Sequence, residues 1–491
     1  MCNFRVYPLF AIVCLLSSVA FGQQQMGWAM DQHAGIGSAF LQPAATADIP
    51  YDWDLNLVGA SGFLNNNVLF IEQASALGLL RDFAKSETIG LDDTEYAFGL
   101  NGNRYDYSFE DHQRPVFVNT GINVLGPSFS IQIGSSTRVG AFSRLRALSS
   151  TRRVDFKANY NNYLDQPSGV DLPLTSLYAA AAAWSEVGGN ISQAIPMGYD
   201  GELRIGINLK HLTAFGGAAI FNPDGSQIRQ DSMRSLNISN LETEIGLTGN
   251  LLGEGEDLQS AGGGFAADFG FQYAWGSDSD GKYQYVAGVS VSDIGQLNFN
   301  RSGQVHRFVN SGDVLFLTAD YDTLANAGVD GFLQQLSADV YDGDTGASLD
   351  GRGFKVGLPT TISAQFSFRP VQEVQFAAAY RTTLGLRSEQ LSQGNQLYLG
   401  ANYSKWWYGA GLSANVHNWD SFSIGMQLRA GPFYVGSDRL IGTVLKTSKL
   451  RGGDFYFGIR LHDFGRKGGK KGGKFKNRKG KGKKVGCYDF S

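Results

Sequence analysis

The residues able to do chemistry are few, and they do not assemble into a familiar catalytic or metal-binding pattern. The six histidines, His33, His112, His211, His306, His417 and His462, show no ligand spacing to one another. No His-Glu-x-x-His, Cys-x-x-Cys or Gly-x-Ser-x-Gly occurs, so no metal, cofactor or catalytic residue is assigned and the chain reads as a non-enzyme. Asp339, Asp342, Asp344 and Asp350 form an acidic cluster that would suit calcium, but their spacing is not that of an EF-hand loop. A solvated loop is the better reading of them. The remaining chemistry is charge inside apolar segments. Arg138, Arg144, Arg146, Glu186, Lys210 and Asp268 each fall on the polar parity of a segment whose other parity is apolar.

Side chains alternate between the two faces of a β-strand, so such segments have one greasy and one polar face. The clearest is Gly264 to Trp275. Phe265, Ala267, Phe269, Phe271, Tyr273 and Trp275 share one parity, and Gly264, Ala266, Asp268, Gly270, Gln272 and Ala274 the other. A small, glycine-rich, charged face fits the wet lumen of a barrel, and an aromatic face ending in Trp fits lipid and its interface. Charge on the lipid face is costly, so the six charged residues are expected to line the lumen. Two roles stay open for them: a lining that selects solutes, or a structural ladder of ion pairs.

The composition agrees with this pattern. Of 491 residues, 64 are Gly, 33 Phe and 21 Tyr, with only 6 Met. No stretch holds the roughly 18 to 20 consecutive apolar residues that a spanning helix needs. A membrane protein of this sequence therefore crosses as a closed barrel. Fourteen strands are predicted, over 53–63, 116–134 (with a bulge at Gly126-Pro127), 138–149, 175–195, 203–214, 264–275, 283–299, 360–369, 373–384, 396–404, 406–416, 419–429, 432–436 and 454–464. Long loops are predicted over 65–115, 215–261 and 300–358, with short helical pieces around Leu77, Leu80 and Ala84 and around Leu324, Phe332, Leu333 and Leu336. An even strand count leaves both chain ends on one side, with short turns there and the long loops extracellular. Tyr273, Trp275, Tyr283, Tyr285, Trp406 and Trp407 would form a periplasmic aromatic girdle.

The ends differ from the body. Arg5, the apolar run Val6 to Val19 and Ala20-Phe21-Gly22 read as a signal peptide over 1–22, cleaved before Gln23. Val13 is too large to precede a lipidated Cys14. Without Cys2 and Cys14 only Cys487 remains, so no internal disulfide is available. Residues 23–51 are rich in small residues, lack strand alternation and are expected to form an N-terminal plug. Residues 52–464 form the barrel, with 29 basic against 44 acidic residues between 23 and 464. The Gly/Lys tail 465–491 carries eleven Lys and Arg against Asp489 and is expected to be disordered. For an exported chain the partners of that tail are anionic lipid or peptidoglycan, not nucleic acid.

Several motifs carry a resemblance. They are Leu41-Gln42-Pro43-Ala44-Ala45-Thr46-Ala47-Asp48, Asp54-Leu55-Asn56-Leu57 with Asn65-Asn66-Asn67, Gly126-Pro127-Ser128, Phe265 to Tyr273, and Gly431-Pro432-Phe433-Tyr434-Val435-Gly436-Ser437-Asp438. In this order they resemble an uncharacterised outer-membrane barrel family of Bacteroidota. More distantly the layout is similar to FadL-type channels and to PorP/SprF proteins of type IX secretion and gliding. The FadL resemblance implies fourteen strands and an N-terminal plug with an Asn-Pro-Ala motif. Gln42 and Pro43 stand at that position, with Gln replacing Asn. The chain thus reads as an all-β protein, a single transmembrane antiparallel barrel of the Gram-negative outer membrane, with its termini in the periplasm. Three functions are carried forward: a plugged channel for small or apolar solutes, a structural or secretion-linked barrel acting through partners, and a soluble secreted adhesin.

Overall fold

The computed structural model describes residues 25–86, 90–92, 96–110, 112–152, 154–155, 171–232, 235–249, 259–277, 283–317, 320–321 and 328–463. The expected signal peptide and basic tail lie outside them. So do the acidic stretch 254–257 and most of the turn at 277–281.

Fourteen antiparallel strands close on themselves. They are β1 (Trp53–Asn66), β2 (Val118–Leu125 continued by Ser128–Ile133), β3 (Thr137–Arg152), β4 (Leu177–Met197), β5 (Gly201–Asn222), β6 (Ser235–Thr248 continued by Gly262–Ser277) and β7 (Tyr283–Leu317). The second half is β8 (Leu349–Gly357 continued by Thr361–Val371), β9 (Val374–Thr383), β10 (Gln396–Ser404), β11 (Tyr408–His417), β12 (Ser421–Ala430), β13 (Phe433–Ser437) and β14 (Gly452–His462). Each pairs with the next, and β1 pairs with β14 from Asp54↔His462 to Asn65↔Gly452. Closure leaves no edge strand, as a membrane span of strands requires.

Burial follows the alternation with the sense reversed from a soluble protein. On β6, Phe265, Phe269, Phe271 and Tyr273 are exposed, while Ala266, Asp268, Gly270, Gln272 and Ala274 are buried. Val187, Ile191, Leu209 and Val289 are exposed in the same way, while Glu186, Asn190, Asn208, Lys210 and Ser290 are buried. An apolar exterior around a polar interior is the arrangement that lipid imposes on a barrel. The aromatic stack Tyr273, Trp275, Tyr285 and Phe368, with ring centroids 5.0 to 5.7 Å apart, lies at the short-turn end. Trp406 departs from the expected girdle. It turns toward Tyr51 and His462, 5.4 and 5.2 Å away, while Trp407 is exposed.

Two of the three predicted long loops are largely strand, and the third contains a sheet. β5 runs to Asn222 and β7 has 35 residues, more than three times the roughly 9 to 11 that cross a bilayer. The upper parts of β5 to β8 rise past the wall on the long-loop side and bury one face under α3 (Gly328–Val340). Leu241, Ile245, Phe308 and Val314 pack there with Leu333 and Val340. Between β1 and β2, the strands Leu69–Ala74, Gly90–Asp92, Ala97–Leu100 and Asn103–Phe109 form a second sheet with Thr447–Leu450. α2 (Ala76–Phe83) follows its first strand, capped by the Ser75 side chain accepting from the Gly78 N–H. These strands are interleaved with polar residues and have no lipid-facing parity, which is why they read as loop.

The Gly126-Pro127 step divides β2, since proline has no N–H to give to a ladder. A second irregularity is more consequential. Ala267 pairs with Ile294 and Phe269 with Val291, so Ser292 and Asp293 together face Asp268. Asp293 takes φ +58°, a left-handed conformation that Asp tolerates better than most residues. By strict alternation from Val289 and Val291, Asp293 would face lipid. The bulge turns it inward and leaves Ile294 exposed.

Candidate functional site

The bulge supplies the centre of an interior ion cluster. Lys210 of β5 lies 2.7 Å from Asp268 of β6 and 2.6 Å from Asp293 of β7. Arg146 of β3 lies 2.9 Å from Glu186 of β4 and 3.0 Å from Asp293. Arg144 contacts Glu186 at 2.5 Å and Asp293 at 3.9 Å. The Trp184 indole N–H donates to Glu186 (2.8 Å), and the Asp293 backbone N–H donates to Asp268 (2.7 Å). All six side chains are buried. Strand alternation brings the charges inside, and the register of neighbouring strands brings opposite signs together.

Five of the six charged residues singled out in the sequence therefore meet in one cluster: Arg144, Arg146, Glu186, Lys210 and Asp268. Arg138 does not join them. It lies nearer the short-turn end, 3.5 Å from Asp54 and 2.7 Å from Ser130, and donates to the carbonyls of Ile49 and Tyr51. Asp293 was missed because strict alternation assigns it outward. The signal was available in Val-Ser-Val-Ser-Asp-Ile, where an acid and an isoleucine have exchanged parity. Arg381 of β9, also missed, is buried on the inner wall.

The N-terminal residues lie against this interior. They fold as α1 (Met26–Ala29) and two 3-10 turns, Gly35–Phe40 and Pro43–Asp48. The Gln42 amide nitrogen donates to the carbonyls of Phe271 and Val289 (3.2 and 3.1 Å), a register pair of β6 and β7. The Thr46 hydroxyl donates to Asn190 Oδ1 (2.8 Å) and shares a hydrogen bond with the Ser192 hydroxyl (2.7 Å), and Asn190 and Asn208 donate to the carbonyls of Pro43 and Ala39. Ser290 donates to Leu41 O (2.7 Å). Asp48 bridges Arg204 and Arg369, each at 3.0 Å. The Phe40 ring lies 4.3 Å under the Arg144 guanidinium, and Trp28 stacks on Tyr434 at 4.0 Å. Glycine permits this approach. A Cβ on Gly206 would sit 2.2 Å from the Pro43 carbonyl carbon, and one on Gly270 would sit 1.9 Å from Gln42 Oε1.

On the long-loop side of the cluster the interior becomes apolar. Phe63, Leu148, Trp184, Leu212, Leu297 and Phe299 pack with Leu358 and Leu391. A small cavity of about 50 Å³ lies between the N-terminal residues and the wall, bordered by Asp31, Ser38, Gln272, Gln365 and Arg369.

Asp339, Asp342, Asp344 and Asp350, read above as a solvated loop rather than a calcium site, are not brought together. Asp339 accepts from Tyr321 and Gln335, and Asp344 accepts from the Gly346 N–H. Among the described residues no group of three or more His, Cys, Asp or Glu is placed to hold a metal. His33 hydrogen-bonds Tyr51, His112 the Asn67 carbonyl and His306 Ser348.

No curated protein matches the chain. Among solved structures it is similar to the Pseudomonas putida toluene transporter TodX at 10% identity, covering 90% of this chain and 95% of that one, with a TM-score of 0.32. It is also similar to a Pseudomonas aeruginosa FadL homologue at 12% identity, covering 87% and 94%, with a TM-score of 0.21. Likenesses at this level carry no inference about cargo, and the barrel stands on its own strand pairing. The sequence model of a family described only as of unknown function matches residues 43–438, which spans β1 to β13 and the turn bearing Gln42's neighbour Pro43. The chain belongs to that family, DUF5723.

Proposed function

We propose that the chain is an outer-membrane barrel whose residues 25–51 act as a plug, and whose lumen passes small or apolar solutes when the plug moves. The observation that carries this is the way the inner wall is bonded. Asn190, Ser192, Asn208, Ser290 and the Phe271 and Val289 carbonyls take their partners from the N-terminal residues. Fourteen strands enclose more space than their own side chains fill, so what occupies the lumen decides whether it conducts. Individual hydrogen bonds contribute about 0.5 to 1.5 kcal/mol net, so the plug is held by many small terms that a ligand can displace in turn. The apolar layer beyond the ion cluster is the chemistry a poorly solvated solute would meet next.

That same layer favours a second reading. Leu358 and Leu391 pack into the interior on the long-loop side, and a barrel filled at that level suits a structural or secretion-linked role through protein partners. In both readings the termini face the periplasm, where the basic tail meets anionic lipid or peptidoglycan. Liposome swelling separates the two. The channel reading expects sugar influx to rise on removal of residues 23–49, with the barrel still folded. No influx from either form would favour the partner-based reading.

A further inference from the structure

We infer that the inner wall of β7, β8 and β9 is a binding site for a carboxylate, held by Arg381 with Ser363, Thr361 and Ser292. Four features of the structure lead there. Arg381 is buried, and its Nε and Nη2 have no hydrogen-bond partner among the described residues. These two N–H groups lie along one edge of the guanidinium, the edge that pairs side-on with a planar carboxylate through two parallel hydrogen bonds. Arg381 pairs across the sheet with Ser363, Thr361 pairs with Ser292, and Thr361 and Ser363 share a face. The hydroxyls of Ser292, Thr361 and Ser363 are also buried without partners among the described residues. Opposed residues on adjacent strands bring their Cβ atoms within about 4.5 to 5.5 Å, so the three hydroxyls form one patch on the wall from which the Arg381 side chain rises.

Charge sets the valence of the ligand. The cations of the central interior are Arg144, Arg146, Lys210 and Arg381, and the anions are Glu186, Asp268 and Asp293. The first three cations each have a carboxylate within 3.0 Å, and Arg381 forms no ion pair among the described residues. One positive charge is left over. A buried unpaired charge is strongly unfavourable, and a monoanion neutralises it. Buried polar side chains with several free donors and one excess positive charge make a site for a singly charged oxyanion. The site belongs to the closed barrel, so it does not depend on whether the lumen opens.

The test is thermal unfolding of the full chain in micelles, with acetate, hexanoate or chloride exchanged at constant ionic strength. A saturable rise of the midpoint with acetate or hexanoate, absent with chloride, is expected. Acetate as effective as hexanoate means that the carboxylate alone is bound, and hexanoate more effective means that the tail contributes. Arg381→Met should lose the carboxylate-dependent rise and, in chloride, be at least as stable as the parent, since it removes an unpaired charge. Ser363→Ala should keep the rise but need about two- to tenfold more carboxylate. No saturable rise in the parent would overturn the inference, as would a rise that survives Arg381→Met. So would an Arg381→Met chain that is destabilised or fails to fold in chloride, which would show the guanidinium already compensated. These outcomes are independent of solute influx, so the site and the channel reading fail separately.

Discussion

Replacing Asp293 by Asn probes the interior cluster with the least change of shape. Asn tolerates the left-handed φ of +58° as Asp does, so the bulge survives and only charge is removed. Lys210 then keeps Asp268 at 2.7 Å, and Arg146 keeps Glu186 at 2.9 Å. Both lose the contact that joined them, at 2.6 and 3.0 Å. Removing one partner of a buried ion pair costs about 3 to 5 kcal/mol. The remaining acids place Asp293→Asn at the lower end, about 3 kcal/mol, or on the order of 150-fold in the unfolding constant. Were the cluster solvated, the loss would stay under about 1 kcal/mol. Adding Arg146→Met removes a cation as well, restores the original charge excess and leaves Glu186 paired with Arg144 and Asp268 with Lys210, so the double variant should regain much of the loss. Urea unfolding in lipid vesicles, followed by tryptophan fluorescence, measures both. A single variant within about 1 kcal/mol of the parent, or a double variant worse than the single, would show that Asp293 does not couple these charges.

Three further outcomes follow from other parts of the molecule. Gly206→Val places a side chain into the Pro43 backbone, which has no rotamer to yield. It should push residues 25–51 outward and make them cleavable by protease in the folded barrel. In the second sheet, burial pushes the Glu110 carboxyl up, but the hydrogen bonds and charges of Lys449 and Arg451 outweigh it and hold the group below its ordinary value. A depressed carboxyl stabilises the fold above its unfolded pKa and loses that contribution as pH falls through the folded one. Acidification from neutral pH to below about 4 should therefore lower the amide protection factors of Thr447–Leu450, taken against the intrinsic exchange rate at each pH, and Glu110→Gln should show the low protection at both pH values. With both barrel ends at the short-turn face, Cys487 should react with a membrane-impermeant thiol reagent only after the outer membrane is permeabilised; labelling in intact cells would reverse the orientation.

The wall of the barrel was legible in the sequence because lipid enforces a strict code on it. Phe265 to Trp275 alternates without exception, and so does Leu203 to Leu209, since one misplaced residue would face hydrocarbon. Even the alanine-rich β4, whose composition favours helix, kept its parity through Trp184, Glu186 and Val187. The code ends where lipid ends. The upper parts of β5 to β8 and the sheet around Tyr105 and Tyr107 face water on one side and another element on the other, so polar residues fall on both parities. Inside the lumen, parity shows which side chains are enclosed but not which ones meet. Arg138 and Arg144 have the same parity on one strand, yet one joins Asp54 and the other Glu186. Asp293 needed a bulge that breaks the alternation, and Arg381 carries no local motif at all.

The claim that residues 25–51 close the lumen is tested most directly by current through single molecules. The chain lacking residues 23–49, behind an intact leader, is reconstituted in planar bilayers beside the full chain, with barrel folding checked by circular dichroism. Discrete steps of raised conductance are expected for the shortened chain, and silence or rare, brief openings for the full one. A shortened, folded barrel that stays as closed as its parent would contradict the claim.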